Sequence, residues 1–132
     1  MILEATMCLA LNMFYEARNE NFMGRLMVAE VTLNRVAADN FPDTVCEVVW
    51  QNKQFSWTHD GLSDDPKKLN NVFDRKAWDE IQRLAMDVIL YPEYALLGSN
   101  ATHYHTVDVE PYWAKEMSIE GKVGKHIFYT EK

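Results

Sequence analysis

Between Leu3 and Arg18 there is no Gly or Pro, and Leu3, Met7, Ala10, Leu11 and Phe14 recur at helical spacing, which predicts an amphipathic helix with Glu16 in its last turn. Asn19 to Met23 break the pattern. Gly24 to Val36 resume it through Leu26, Met27, Val31 and Leu33, so a second helix follows and Glu16 to Asn21 form the junction. After Pro42, Thr44-Val45-Cys46-Glu47 has the form of a capping box and starts a short third helix ending near Gln51. Asn52 to Asn71 is irregular, with turn signals at Gly61 and Asp64-Asp65-Pro66, and loops of this length usually carry function. From Phe73 to Leu90, the positions Ala77, Trp78, Ile81, Leu84, Ala85, Val88 and Ile89 trace one face of the longest helix, and Pro92 ends it. Beyond Gly98 come β-prone pieces, Ala101 to Val107 and Ile127 to Thr130, joined through Pro111, Gly121 and Gly124. The expected class is α+β, predominantly helical, with a small β-sheet or ribbon.

The 132 residues, 48% of them apolar, suit one domain over 1–132, and four Trp, six Tyr and six Phe supply apolar surface for a single core. A formal charge of −7 argues against nucleic acid and against stable association with anionic membranes. No run is long and apolar enough to suggest a membrane span. A monomer is expected. Cys8 and Cys46 lie far apart in apolar stretches and read as two small buried hydrophobes rather than a disulfide, so synthesis in a reducing compartment is acceptable. The N-terminus has no basic region and carries Glu4, which reads as part of the fold and not as a secretory signal.

Glu16, at the end of an apolar helix, is placed for partial burial, which raises a carboxyl pKa as a general acid requires; a solvated helix-end Glu is the plain alternative. Glu20, one turn on, either shares that site or pairs with Arg18 or Arg25. His59, His103, His105 and His126 are candidate zinc ligands or, more plainly, part of a half-buried sheet surface. Phe55, Trp57, Tyr104, Tyr112 and Trp113 place flat aromatic faces outside helix interiors, where they suit sugar rings beside polar Gln54, Asn100 and Thr102; core packing fits Trp50 and Trp78 better. Ser56 lacks a nucleophile elbow and no phosphate-binding glycine loop is present, so serine hydrolysis and nucleotide chemistry drop out and no cofactor is expected.

Taken together, Asn12-Met13-Phe14-Tyr15-Glu16-Ala17-Arg18-Asn19-Glu20, Gly24-Arg25-Leu26 through Asn34-Arg35-Val36, Phe41-Pro42-Asp43-Thr44 and Gln54-Phe55-Ser56-Trp57 resemble the SleB-like cell-wall hydrolase family in order and spacing. Ala101-Thr102-His103-Tyr104-His105, Trp113-Ala114 and Gly124-Lys125-His126-Ile127-Phe128-Tyr129 are similar to its remaining blocks. The chain departs from the family pattern at Asn19, where Gly is usual, and at Glu30, within a helix that is commonly more apolar. The resemblance implies a lysozyme-like lytic transglycosylase fold and Glu16 as the catalytic acid acting on peptidoglycan glycan strands. It also implies Glu20, Gln54, Phe55, Ser56, Trp57, Tyr104, His105, Trp113 and His126 as substrate-binding residues, with no metal. Without a recognisable signal or wall-binding domain, the chain looks like a compact phage endolysin, which would reach the wall after holin-type release, or a catalytic domain alone.

The reaction implied is cleavage between N-acetylmuramic acid and N-acetylglucosamine with formation of a 1,6-anhydro end. Other readings are a hydrolytic muramidase with Glu20 or Asp60 as second carboxylate, a zinc amidase using the histidines, and a non-catalytic glycan-binding module.

Overall fold

The computed structural model describes residues 2–51, 57, 65, 66 and 71–132. Helix α1 (Ile2–Ala17) lies at the centre of the helical layer and packs against α2 (Phe22–Ala37), α3 (Val45–Val49) and α4 (Val72–Leu90). Its buried face, Leu9, Ala10, Met13, Phe14 and Ala17, meets Leu26, Val28 and Val31 of α2 and Ile81, Ala85 and Val88 of α4 in one core. The Phe14 and Trp78 rings meet edge to face at 5.6 Å.

Local chemistry explains the boundaries. Asn21 caps α2 by accepting the Gly24 N–H at 3.0 Å, and Asn71 caps α4 by accepting the Phe73 N–H at 2.8 Å. Thr44 accepts the Glu47 N–H at 3.2 Å, as the capping box predicts, and its hydroxyl donates to the Glu47 carboxylate at 2.8 Å, although α3 ends at Val49, short of Gln51. Pro92 ends α4 and then serves as the first residue of a one-turn helix, α5 (Pro92–Ala95).

Strands β1 (His103–Thr106), β2 (Met117–Val123) and β3 (His126–Glu131) form an antiparallel sheet in the order β1-β3-β2, with a 3-10 helix (Tyr112–Glu116) leading into β2. The sequence pattern predicts β1 and β3 but not β2. As an edge strand, β2 does not need two buried faces, and a bulge between Ile119 and Gly121 breaks the alternation that would have marked it. The β2–β3 turn depends on Gly124, whose φ of 58° lies in the left-handed region. In the β1–β3 register, Tyr104 stands opposite Phe128 and Thr106 opposite His126, whereas His105 stands opposite Ile127 and His103 opposite Tyr129. Strand alternation therefore puts Tyr104, Thr106, His126 and Phe128 on one face and His103, His105 and Tyr129 on the other.

Some expectations need correction. Cys8 and Cys46 are not separate hydrophobes: they form a disulfide joining α1 to α3, with Cα atoms 5.3 Å apart. Their wide sequence spacing concealed a contact that only helix packing creates. Trp57, expected to present a face to sugar, is only 4% exposed, stacked on Tyr15 at 5.1 Å and met edge-on by Trp50. Trp50, expected in the core, is 45% exposed at the C-cap of the short α3.

Glu30, the apolar helix's anomaly, is 1% exposed, and its two oxygens accept the Leu97 and Ser99 N–H groups at 2.7 and 2.9 Å. Asn34 adds bonds to the Ser99 and Ala101 carbonyls, so α2 fixes the segment that delivers β1. In Glu30→Gln one backbone N–H would face an amide NH2 instead of an acceptor. The expected loss is about 1–3 kcal/mol, read as a lower midpoint in urea unfolding.

Candidate active site

Glu16 and Asn12 are one helical turn apart on α1 and both meet the Tyr104 hydroxyl. That hydroxyl donates to Glu16 Oε1 at 2.6 Å. Asn12, fully buried, accepts the Trp57 Nε1–H at 2.9 Å and contacts Thr32 Oγ1 at 3.5 Å through its Nδ2. A continuous polar chain therefore runs from Trp57 through Asn12 and Tyr104 to Glu16. Leaving any of its buried members unpaired would cost about 1–3 kcal/mol, which holds Glu16 in one orientation.

A cleft of about 510 Å3 opens over Glu16, lined also by Tyr15, Arg35, Tyr104, His103, His105, Trp113 and His126. A smaller one, about 250 Å3, lies beside it, with Arg18, Asn19, Glu20, Thr106 and Lys125 in its wall. Glu16 and His126 line both. The carboxyl thus sits where a chain-like ligand crossing from one cleft to the other would pass.

Burial raises the pKa of Glu16 above its ordinary value; the Tyr104 hydrogen bond and the charges of His126 and Arg35 oppose this without cancelling it. Burial and the neighbouring Glu16 hold the Tyr104 phenol well above its usual pKa, so it remains a donor at any working pH. In Tyr104→Phe the ionised carboxylate loses a hydrogen bond, and the Glu16 pKa rises further. The expected result is an alkaline limb of kcat/KM displaced to higher pH with an approximately tenfold lower kcat, measured as a pH–rate profile.

Of the residues expected to bind substrate, Tyr104, His105, Trp113 and His126 line the main cleft and Glu20 the smaller one. Trp57 lies behind Tyr15 in the core. Gln54, Phe55 and Ser56, with His59 and Asp60, lie outside the described residues. Thr102, expected to face sugar, is buried with its hydroxyl on His103 Nδ1. Glu20 pairs with neither Arg18 nor Arg25, which reach Asp74 and Glu80 instead; it accepts the Lys125 N–H and bonds His126 Nδ1, each at 2.8 Å.

Asn12, Thr32 and Arg35 escaped sequence reasoning. The i, i+4 spacing of Asn12 and Glu16 was the available signal for the first. Arg35 reads in sequence only as a basic helix end, yet it is buried, with Nε donating to the Thr102 carbonyl at 2.7 Å and its guanidinium 4.9 Å from the Phe41 ring centre.

The three described histidines do not converge as zinc ligands must. His103 and His105 share one face of β1, whereas His126 belongs to the other. Both His105 nitrogens are engaged, by the Thr106 carbonyl and the Tyr129 hydroxyl, at 2.7 Å each. Among the described residues no three His, Cys, Asp or Glu side chains group to hold a metal.

A family model described as cell wall hydrolase matches residues 19–129. The chain belongs to the cell wall hydrolase family. Within the family it is 30% identical over 118 residues to the spore cortex-lytic enzymes of Bacillus cereus and of Oceanobacillus iheyensis, covering 86% of this chain. It spans 39% and 37%, respectively, of the length of those relatives. Its fold matches the catalytic domain of the germination-specific lytic transglycosylase SleB from Bacillus anthracis, with a TM-score of 0.66 and 28% identity over 96% of this chain and 95% of that one. The Bacillus cereus SleB catalytic domain matches with a TM-score of 0.63 and 28% identity over 96% of this chain and 91% of that one. The SleB-like resemblance and the lytic transglycosylase fold expected from sequence both stand. Because the cell wall hydrolase match begins at Asn19, the assignment of Glu16 rests on its place in the cleft.

Proposed function

We propose that this cell wall hydrolase cuts peptidoglycan glycan strands between N-acetylmuramic acid and N-acetylglucosamine as a lytic transglycosylase, with Glu16 as the sole acid and base. The observation that carries the reading is that Glu16 is the one carboxyl among the described residues lining the main cleft, and that burial favours its protonated form. The protonated carboxyl donates to the glycosidic oxygen as the bond to the anomeric carbon breaks. The resulting carboxylate takes the proton of the muramyl 6-hydroxyl, whose oxygen closes on the anomeric carbon to give the 1,6-anhydro ring. Atoms balance without water, and Glu16 ends protonated as it began.

A hydrolytic muramidase would need a second carboxylate about 5–5.5 Å from the first for retention or about 6.5–9.5 Å for inversion, free to act on the sugar or on water. Glu20 is the described carboxylate beside Glu16, and its Oε1 is held by Lys125 and His126. The disulfide supports an enzyme that works at the wall, outside the reducing cytoplasm. No helix among the described residues is long and apolar enough to cross a membrane, and we read the enzyme as a monomer without stable membrane association.

Digestion of purified peptidoglycan with and without EDTA tests the reaction class. Soluble glycan fragments released equally in both support the acid-catalysed route. Free stem peptides that disappear with EDTA would move the chemistry to a metal-dependent amidase, and wall binding without soluble products would make the chain a binding module.

A further inference from the structure

The turn between α1 and α2 carries Glu20 into a niche at the wall of the smaller cleft. A Cβ on Gly24 would come within 2.8 Å of Glu20 Cβ, and one on Gly124 would collide with the carboxylate itself. Both glycines therefore make room for this side chain, which is 12% exposed. Its Oε1 accepts the Lys125 N–H and bonds His126 Nδ1, each at 2.8 Å. His126, 5% exposed at its side chain, stands edge to face with Tyr104 at 5.4 Å, beside the hydroxyl that holds Glu16. A carboxylate only accepts hydrogen bonds, so an imidazole bonded to it through Nδ1 carries a proton there, and Nε2 is the ring nitrogen that Glu20 does not hold, in a residue that lines both clefts.

We propose that Glu20 is a positioning residue that acts through His126 rather than on the glycan: in the neutral ring it fixes the Nδ1–H tautomer, so that Nε2 accepts a hydrogen bond from a hydroxyl of the sugar beside the scissile bond. This deepens the glycan-cleaving reading and rests on it for the identity of the sugar. The geometry provides a buried acceptor at Nδ1, two adjoining clefts that the residue lines and a rigid aromatic neighbour. The same logic operates wherever a carboxylate sets the tautomer of a histidine whose second nitrogen meets substrate.

Two measurements test it. Long-range 15N NMR of the free wild-type enzyme, at a pH where His126 is neutral, is expected to show Nδ1 protonated and Nε2 bearing the lone pair. The opposite tautomer overturns the proposal without any assay of activity. Steady-state kinetics on purified glycan strands then compare wild type with Glu20→Ala, which removes the acceptor of His126 Nδ1–H, with His126→Ala and with the double variant. Each single variant is expected to lower kcat/KM about tenfold. The double variant should be no worse than His126→Ala, because on this proposal Glu20, although it lines the smaller cleft, acts only through the ring. Multiplying losses would mean that Glu20 touches glycan itself, and unchanged kinetics in Glu20→Ala despite a changed tautomer would also overturn the proposal. If wild type cleaves no glycan strand, the activity reading falls, whereas the NMR result still decides the tautomer.

Discussion

Glu16→Gln is expected to lower glycan cleavage by about 10²–10⁴-fold while leaving the fold intact. The amide is nearly isosteric and still accepts the Tyr104 hydroxyl, but it cannot protonate the leaving oxygen. Stability should move the other way. A folded-state pKa above the ordinary value of 4.5 means that the folded protein favours the protonated carboxyl. Its contribution is fully present below pH 4.5 and is lost as pH rises through the raised value. Glu16→Gln should therefore melt above wild type at neutral pH, with the difference vanishing in acid. Thermal denaturation at two pH values, together with turnover of soluble glycan, checks both halves. A variant that is inactive and also markedly less stable would point to a structural role for Glu16.

Breaking the Cys8–Cys46 bond has the next largest expected effect, this time on stability. It closes a loop with a sequence separation of 38, for which the chain-entropy estimate is about 4 kcal/mol. For a domain of this size that corresponds to a fall in Tm on the order of 10 °C. Reduction of wild type and the Cys8→Ala/Cys46→Ala double variant should agree, because both free the short α3 from α1. Equal Tm with and without reductant would mean that the cysteines are not joined in solution.

The helices were legible because each requirement for them is local. Apolar spacing marked α1, α2 and α4, Thr44 marked α3, and Pro92 marked the end of α4. Less legible were features that depend on residues distant in sequence. The disulfide, the burial of Trp57 against Tyr15 and Asn12, and the capture of Glu20 by His126 arise only when the helices and sheet meet. Strand β2 escaped because an edge strand with a bulge does not need alternating burial. Glu16 was readable as a candidate acid from its place at the end of an apolar helix. Its partners were not, because Tyr104 and Arg35 reach it from other elements.

The most direct test of the central claim is mass spectrometry of the soluble products of purified glycan strands. Intramolecular transfer through Glu16 predicts 1,6-anhydromuramyl ends, lighter by one water than hydrolysed ends, with no such product from Glu16→Gln. Reducing muramyl ends from the wild-type enzyme would contradict the account and require a second carboxylate at the cleft.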